Sequence, residues 1–304
     1  MSERHQLSRR DLLLSGAAWA TAGIAGSGRL TFAQTAASER RSRVVLIRHP
    51  GVVAEDGSLE GPILHDMLNQ AVESLLDTQS SATAWKQLVG SADVVGVKSN
   101  AWRRLATPPE LEDAIRAEVA AAGVAAKDIA VDDRGVRTDP VFKRMLASDS
   151  GAMINVRPMR THHWSGLGTC LKNPIMFVPR PADYHADACA SIGAFWRELG
   201  LAEKTRLNIL VMLTPQFHGV GPHSFSPRFV WTYGGLIVGT DPVAVDATGE
   251  RIIQAKRSEF FGEDRRISPP PHHIRYAETR YHLGVSDPAR IDIVRIGWHE
   301  GSLI

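Results

Sequence analysis

Runs of apolar residues alternate with amphipathic segments along most of the chain. The β-branched, apolar run at 43–48 predicts a buried strand. From Ile63 to Leu76, apolar residues recur three and four apart, which predicts an amphipathic helix. The same analysis predicts further strands at 93–97, 128–132, 152–156, 207–213, 229–233, 236–239 and 291–296, and further helices at 107–123, 186–199, 242–255 and 273–282.

Strands that alternate with helices are typical of a mostly parallel sheet with helices on both faces. We therefore expect a three-layer α/β fold over residues 43–304, built as one body or as two lobes. The small and polar residues before it predict a spacer at 34–42. No internal repeat of fixed period is found, which argues against solenoids and propellers.

Two predicted helices begin with residues that can cap them. Thr107 can cap the helix that Pro108 and Pro109 open, and Asp241 before Pro242 is placed to accept the first free N–H groups of the next helix. For Asp241 the alternative is a catalytic carboxylate in the same cleft as His162. Asp246, one turn further on, can pair with Arg251 on the surface.

The first 33 residues have the order of an export signal. Arg9 and Arg10 precede an uncharged, glycine-diluted stretch from 12 to 28, and small residues precede a cleavage position near Ala33. The paired arginines predict a twin-arginine signal, so the expected partner is the twin-arginine translocase and the expected location is the periplasm or outside the cell. A stable membrane anchor is not expected, because glycine and serine dilute the apolar stretch.

Charge and cysteine content narrow the functions further. The four arginines and two acidic residues of the leader account for the whole formal net charge of +2, so the remaining chain gives no basic field for nucleic acid. The only cysteines are Cys170 and Cys189, so no iron–sulfur cluster on four protein thiolates is expected. The two are either a disulfide or two buried free thiols. The twin-arginine route favours a metal or organic cofactor loaded before export.

Residues 154–174 form the leading candidate site. They leave the predicted strand 152–156, and ligands of open α/β sheets bind outside the carboxyl ends of strands. Arg157, Arg160 and Lys172 supply cationic donors, His162 can transfer a proton near neutral pH, and glycines such as Gly166 admit backbone N–H groups. These features predict a small anionic ligand. The alternative is a solvated basic loop with a stacked His–Trp pair.

Other strand ends carry candidate residues. Lys98 and Asn100 end the predicted strand 93–97, and a buried Lys98 needs either a cleft or a counter-charge, for which residues 132–133 are a candidate unless they simply form a turn. His218 and His223 follow the strand 207–213 in a glycine-rich loop and can share a metal, although spacing fixes no third ligand.

Three motifs give the chain a resemblance to the domain of unknown function 362 family. They are Val95-Gly96-Val97-Lys98-Ser99-Asn100 with the downstream Thr-Pro-Pro-Glu, the Thr-His-x-x-x-Gly motif at His162 followed by Leu171-Lys172-Asn173, and Leu236 to Ala247 with its Gly-Thr-Asp-Pro. The resemblance implies an α/β fold and places Asn173 among the ligand-binding residues, but no activity comes with it.

The chain departs from that family at several positions. Family members usually carry lysine where Arg160 stands, proline where Ser99 stands, and aspartate near Val211 or Met212. The missing carboxylate argues against a metal site inherited at that strand. The ferredoxin-like cysteine clusters of some members are also absent.

A fainter similarity links the chain to the nickel-pincer lactate racemase family. In that family, glycine and lysine follow a histidine at the offsets that separate His162 from Gly166 and Lys172 here. By this analogy Lys172 would grip or attach an organic cofactor, and His162 would transfer a proton.

The sequence thus predicts an exported protein that binds a small anion or anionic cofactor at strand-end loops. An enzyme is one class, with His162 as acid or base and with Lys172 and Arg160 as an anion clamp. A non-catalytic periplasmic binding or accessory protein is the second class, and a metal-delivery protein with histidine loops is the third. The phosphate-loop, dinucleotide, serine-elbow and zinc-helix motifs are missing, which disfavours those chemistries.

Overall fold

The apolar runs join in one mixed sheet in the computed structural model, which describes residues 40–219 and 225–304. The predicted leader, most of the spacer and His223 lie outside the described residues. Residues 41–304 form one compact unit. The strands of the described residues are β1 (Ser42–Arg48), β2 (Val94–Lys98), β3 (Ile129–Asp132), β4 (Gly151–His162), β5 (Gly166–Gly168), β6 (Thr205–Gln216), β7 (Gly235–Gly239) and β8 (Ile291–Gly297).

The strand order is β3-β2-β4-β6-β7-β1-β8, and the short β5 pairs with β4. The pairs β2/β3, β2/β4, β4/β6 and β1/β8 are parallel. Strand β7 runs antiparallel to both β6 and β1. The parallel strands therefore end at one common edge of the sheet, whereas β7 ends at the opposite edge.

Helices cover both faces of this sheet. Those of the described residues are α1 (Gly61–Leu76), α2 (Ser81–Leu88), α3 (Pro109–Ala121), α4 (Pro140–Ala147), α5 (Ala186–Cys189), α6 (Ile192–Glu198), α7 (Leu201–Lys204), α8 (Pro242–Phe261) and α9 (His272–Thr279). One apolar core lies under α1, α2 and α3, and the other lies under α4, α6, α8 and α9. Two cores on one mostly parallel sheet confirm the predicted three-layer α/β fold.

Strand β4 is longer than predicted. Its apolar start led us to expect a strand over 152–156 followed by a loop, but pairing with β2, β5 and β6 continues the strand to His162. All twelve of its residues are buried. Arg157, Arg160 and His162 therefore belong to a central strand, so the alternative of a solvated basic loop is wrong.

Two other predicted elements are wrong in extent or kind. The helix expected over 186–199 is divided into α5 and α6, because Asp187, Ala188 and Cys189 have φ angles of 47°, 51° and 65°. The strand expected over 229–233 is reduced to a single bridge between Gln216 and Val230. Helices α2, α4 and α7 were not predicted.

Of the two predicted helix caps, one is confirmed and the other is wrong. Asp241 accepts hydrogen bonds from the amides of Val243 and Ala244, which confirms it as the N-cap of α8. Thr107 does not cap α3, because Pro108 occupies the cap position and the Thr107 hydroxyl accepts from the Asn100 amide instead. Within residues 40–219 and 225–304, none of the helices has the length and apolar character that crossing a membrane requires.

Candidate functional site

The candidate site lies at the edge of the sheet where the parallel strands end. Strand β4 carries Arg157, Arg160 and His162, and β2 ends at Lys98. The chain then returns beside β4 through β5 to Lys172, which begins the turn 173–177. The carboxyl ends of neighbouring parallel strands meet at one edge, which explains why side chains far apart in sequence lie together here.

Asn173 is the hydrogen-bonding centre of the site. Its side-chain amide group donates to the carbonyls of Lys98 and Val156 at 3.0 Å each, and to Asn155 Oδ1 at 2.9 Å. Its side-chain oxygen accepts hydrogen bonds from Lys98 Nζ and from Asn100 Nδ2, each at 3.4 Å. One buried amide therefore ties the loop after β5 to β2 and β4. Its many partners mark Asn173 as a positioning residue.

Lys98 has a counter-charge at the end of the next strand. Its ammonium lies 2.5 Å from Asp133 Oδ1 and also donates to the Ser99 carbonyl at 2.6 Å. Burial lowers the pKa of Lys98 to about 8, and Asp133 opposes that effect. Burial raises the pKa of Asp133, but the Lys98 ammonium, the Ala101 amide and Arg157 together outweigh it, so the net direction is downward. Residues 132–133 thus supply the counter-charge that the buried lysine required.

Two buried guanidinium groups have few partners. Arg157 and Arg160 are each 4% exposed, and the Nε atoms of both, with Nη1 of Arg160, have no hydrogen-bond partner within residues 40–219 and 225–304. Arg157 Nη1 lies 3.5 Å from Asn173 Oδ1, and Arg160 stacks over the Trp102 ring at 4.2 Å. Burial lowers the pKa of both groups, and the charge of Arg157 lowers the pKa of Arg160 further. Arginine nevertheless keeps its charge in proteins.

His162 lies beside these cations as a neutral ring. Burial, followed by the charges of Lys172 and Arg160, lowers the pKa of His162 well below its usual range. Its Nδ1 accepts from the Trp164 amide at 3.2 Å, and its ring stacks on His163 with centroids 4.7 Å apart. A neutral imidazole among cations is a proton acceptor whose basicity depends on what neutralises those cations.

Lys172 is buried without a carboxylate beside it. Its ammonium lies 3.4 Å from the Cys189 thiol, and the side chain is 3% exposed. Burial lowers the pKa of Lys172 to about 8, Cys189 opposes this, and Arg157 and Arg160 add to it. Among the described residues, no ion pair includes Lys172, Arg157 or Arg160. Three buried cations therefore share one region in which no carboxylate of the described residues forms an ion pair with them, although Asp133 and Asp246 act on Arg157 from further away.

Asp246 holds the loop that presents Lys172. Its carboxylate accepts from the amides of Cys170 and Leu171 at 2.9 and 2.8 Å. Burial raises the pKa of Asp246 to about 7, against the Thr169 hydroxyl and these amides. The expected surface pair with Arg251 is therefore wrong, because the Asp246 side chain is fully buried.

Two glycines allow this loop to pack. Gly166 has a φ of 72°, and an added Cβ would lie 2.1 Å from the Pro269 carbonyl oxygen. At Gly168 an added Cβ would lie 2.8 Å from Arg157 Nη2. The glycines thus admit neighbouring backbone and a guanidinium group, and Gly166 serves packing at the site edge.

Asp241 lies away from the site, and the predicted metal pair of His218 and His223 stays a prediction because His223 lies outside the described residues. Asp241 follows β7, which runs opposite to β4; at about 3.3 Å per residue, roughly 30 Å of strand separates its level from His162. Its carboxylate also accepts from Ser42 and the Val285 amide, so it is a structural cap. His218 Nδ1 lies 2.9 Å from Arg257 Nη1. Among the described residues, no cluster of three His, Cys, Asp or Glu side chains is placed to hold a metal.

Sequence reasoning missed other members of the site. Asn155 donates to the Cys170 carbonyl and to Asn208, and Cys189 contacts Lys172. Cys170 and Cys189 are both buried free thiols, one of the two alternatives. The signal for Asn155 was a polar residue inside an apolar strand run. No pattern in the sequence indicated that Cys189 would meet Lys172.

Fold and site together define a class: a three-layer α/β protein with a cluster of buried cationic side chains at the carboxyl edge of its parallel strands. The model of DUF362, a domain of unknown function, matches residues 68–251. The chain belongs to this family, which confirms the resemblance seen in its three motifs. The match covers β2 to β7, and therefore Lys98, His162 and Lys172. No curated protein and no solved structure matches the chain.

Proposed function

We propose that this protein binds a small anion between Arg157, Arg160 and Lys172, and that His162 accepts a proton in the complex. The observation that carries the proposal is the buried set of three cations with no ion-pair partner among the described residues. Isolated buried charges are costly. A carboxylate or phosphate oxygen would remove that cost by accepting from the unpartnered N–H groups of Arg157 and Arg160.

The role of His162 follows from the charges around it. Without an anion, burial and the neighbouring cations hold the pKa of His162 low and the ring neutral. An anion would offset the charges of Lys172 and Arg160, so the pKa of His162 would rise toward its usual value. The ring would then be a useful base in the complex, which favours an enzyme over a purely binding protein.

Titration calorimetry of the purified full-length chain with lactate and with phosphate tests the binding part. We expect Arg160→Gln to weaken binding roughly 10- to 100-fold, since charge-assisted hydrogen bonds are lost. The matched control is Arg228→Gln, which removes an exposed arginine stacked over Phe229 at 5.7 Å. Absent binding of both anions, or equal affinity of Arg160→Gln and wild type, would overturn the proposal.

Calorimetry in buffers of different ionisation enthalpy measures how many protons the protein takes up when the anion binds. At pH 6 we expect wild type to take up a proton on binding the anion, and His162→Gln to take up less. His185 and His273, whose pKa values burial also lowers, to about 4 and about 3, remain in both proteins. The difference between the two proteins therefore reports His162. Equal uptake would exclude His162 as the acceptor.

Export by the twin-arginine translocase is a separate part of the proposal. Its support is the sequence of residues 1–33, which lie outside the described residues. We expect replacement of both Arg9 and Arg10 by lysine to keep the chain in the cytoplasm, as shown by cell fractionation. Arg4→Lys is the control that keeps the arginine pair and should leave export intact. Export of the double variant at the wild-type level would contradict the proposal.

A further inference from the structure

Two buried lysines at this site differ in their partners. Lys98 lies 2.5 Å from the Asp133 carboxylate, which favours its ammonium form. In the part of the chain that the structure describes, the Lys172 ammonium donates to the Cys189 thiol, at 3.4 Å. A lysine placed among other cations and away from water is the arrangement that makes an amine nucleophilic. The pKa of each lysine is lowered to about 8, so the difference lies in their partners. The Lys98 ammonium donates to the Asp133 carboxylate and the Ser99 carbonyl, whereas the Lys172 ammonium contacts a thiol.

We infer that Lys172 is a nucleophile that forms an imine with a small 2-oxo acid, whose carboxylate Arg157 and Arg160 bind. The inference rests on the proposed anion site and names its substrate class. Arg157 and Arg160 offer three nitrogen atoms without a hydrogen-bond partner among the described residues, and planar carboxylates suit guanidinium groups. A carbonyl adjacent to that carboxylate is the electrophile that an amine beside the arginines would meet.

The reaction needs only the 2-oxo acid and side chains of this site. The neutral Lys172 amine attacks the carbonyl carbon, a C–N bond forms, and the carbonyl electron pair moves to oxygen. The proton released by nitrogen is transferred to that oxygen; His162, whose pKa the Lys172 charge affects, is the proposed carrier. Loss of water then leaves the C=N bond. No oxidant or reductant takes part, and the carboxylate stays on the arginines.

Burial makes the amine available at neutral pH. Because burial lowers the pKa of Lys172 to about 8, about one tenth of the amine is deprotonated at pH 7. The charges that act on it are those of Arg157 and Arg160. The Cys189 thiol, whose pKa burial raises, is neutral at pH 7, as are His162, His185 and His273, whose pKa values burial lowers. An ordinary surface lysine, with a pKa near 10.4, has less than about one thousandth in that form. The reaction is therefore expected to select Lys172 over exposed lysines.

The thiol is the group that the ligand must displace. Cys189 ends the segment with three consecutive left-handed residues, Asp187, Ala188 and Cys189. Non-glycine residues in that region cost backbone free energy. The Cys189 thiol is thus held against Lys172 at a cost in backbone free energy. A ligand that reacts with Lys172 would take the place of that thiol.

Reductive trapping tests the inference. The purified full-length chain is incubated with pyruvate at pH 7, reduced with borohydride, digested and mapped by mass spectrometry. We expect one adduct, on the peptide that carries Lys172. Lactate, which has the carboxylate but no carbonyl, should give none. The adduct should be lost in Lys172→Arg and kept in Lys86→Arg, which makes the same change at an exposed helical lysine.

The outcomes separate this inference from the proposed function. Anion binding by calorimetry without any adduct in wild type would overturn the inference and leave the anion site standing. An adduct spread over exposed lysines, or one on Lys98, would also overturn it. If neither lactate, phosphate nor pyruvate binds and no adduct forms, both proposals fail. The wild-type peptide map with its lactate control decides the matter even if Lys172→Arg does not fold.

Discussion

At the scale of single residues, the site contains one cation that pairs with a carboxylate and three that form no such pair among the described residues. Asp133 neutralises Lys98, and the Asp246 carboxylate accepts two backbone amides. Arg157, Arg160 and Lys172 keep their positive charges without such a partner among the described residues. The sequence predicted the cations and their proximity to His162. It could not show which lysine would receive the counter-charge, because that depends on the order of strands in the sheet.

Asp246 gives a pH-dependent prediction. Its pKa of about 7 lies above the usual 3.8, so the folded chain binds a proton between about pH 4 and 7 that the unfolded chain releases. Stability from this group is complete below about pH 4 and falls as the pH rises toward 7. The free energy of unfolding of wild type should therefore fall relative to Asp246→Asn, by at most about 1.4 kcal/mol per pH unit.

Urea unfolding of both proteins at pH 4.5, 5.5 and 6.5 measures this difference. The control is Asp287→Asn, because the Ala289 amide and Arg290 lower the pKa of Asp287. Its contribution is present above its usual pKa and is lost only below about pH 4, so no slope relative to wild type is expected in this range. Parallel pH profiles for wild type and Asp246→Asn would contradict the account of Asp246.

At the scale of elements, the hairpin of β4 and β5 determines which side chains form the site. The periodic pattern located the start of β4 but not its end, because Arg157, Arg160 and His162 are polar residues in a strand that is buried throughout. A hydrophobic pattern locates a buried segment only where the buried residues are apolar. The division of the 186–199 helix was hidden for a similar reason, since no glycine or proline marks the left-handed residues 187–189.

Gly166 tests the packing of this hairpin. Gly166→Ala should destabilise the protein by roughly 2 to 5 kcal/mol, because the left-handed φ and the contact with the Pro269 carbonyl both oppose a Cβ. Gly262 has a similar φ of 70° but no heavy atom within 4 Å of an added Cβ. Gly262→Ala should therefore cost only about 1 to 2 kcal/mol. Equal losses in urea unfolding would show that the close approach at Gly166 does not matter.

At the scale of the whole molecule, strand order and direction place every candidate residue. Because β7 is reversed, its following residue Asp241 lies at the edge opposite His162, although both follow strands in the sequence. The parallel neighbours β2, β3 and β4 bring Lys98, Asp133 and Asn173 together. A shift of one strand in this order would dismantle the site.

Hydrogen exchange followed by mass spectrometry or NMR tests that order. Strands β1 and β8 each span seven residues and pair along their whole length, but β1 is internal and β8 lies at the sheet edge. We expect the amides of β1 to exchange more slowly than those of β8, and β4 and β6 to be among the slowest. Equal protection of β1 and β8 would contradict the position of β8 at an edge.

The sequence by itself determined the fold class, the family and most strands and helices, because apolar periodicity and local caps act over a few neighbouring residues. It also indicated that His162, Arg160 and Lys172 would serve one site. Only the tertiary structure decided that Asp133 pairs with Lys98, that Cys189 lies beside Lys172, and that Asp241 is a structural cap. Those outcomes depend on contacts between residues distant in the chain, which the sheet order fixes and local pattern does not encode.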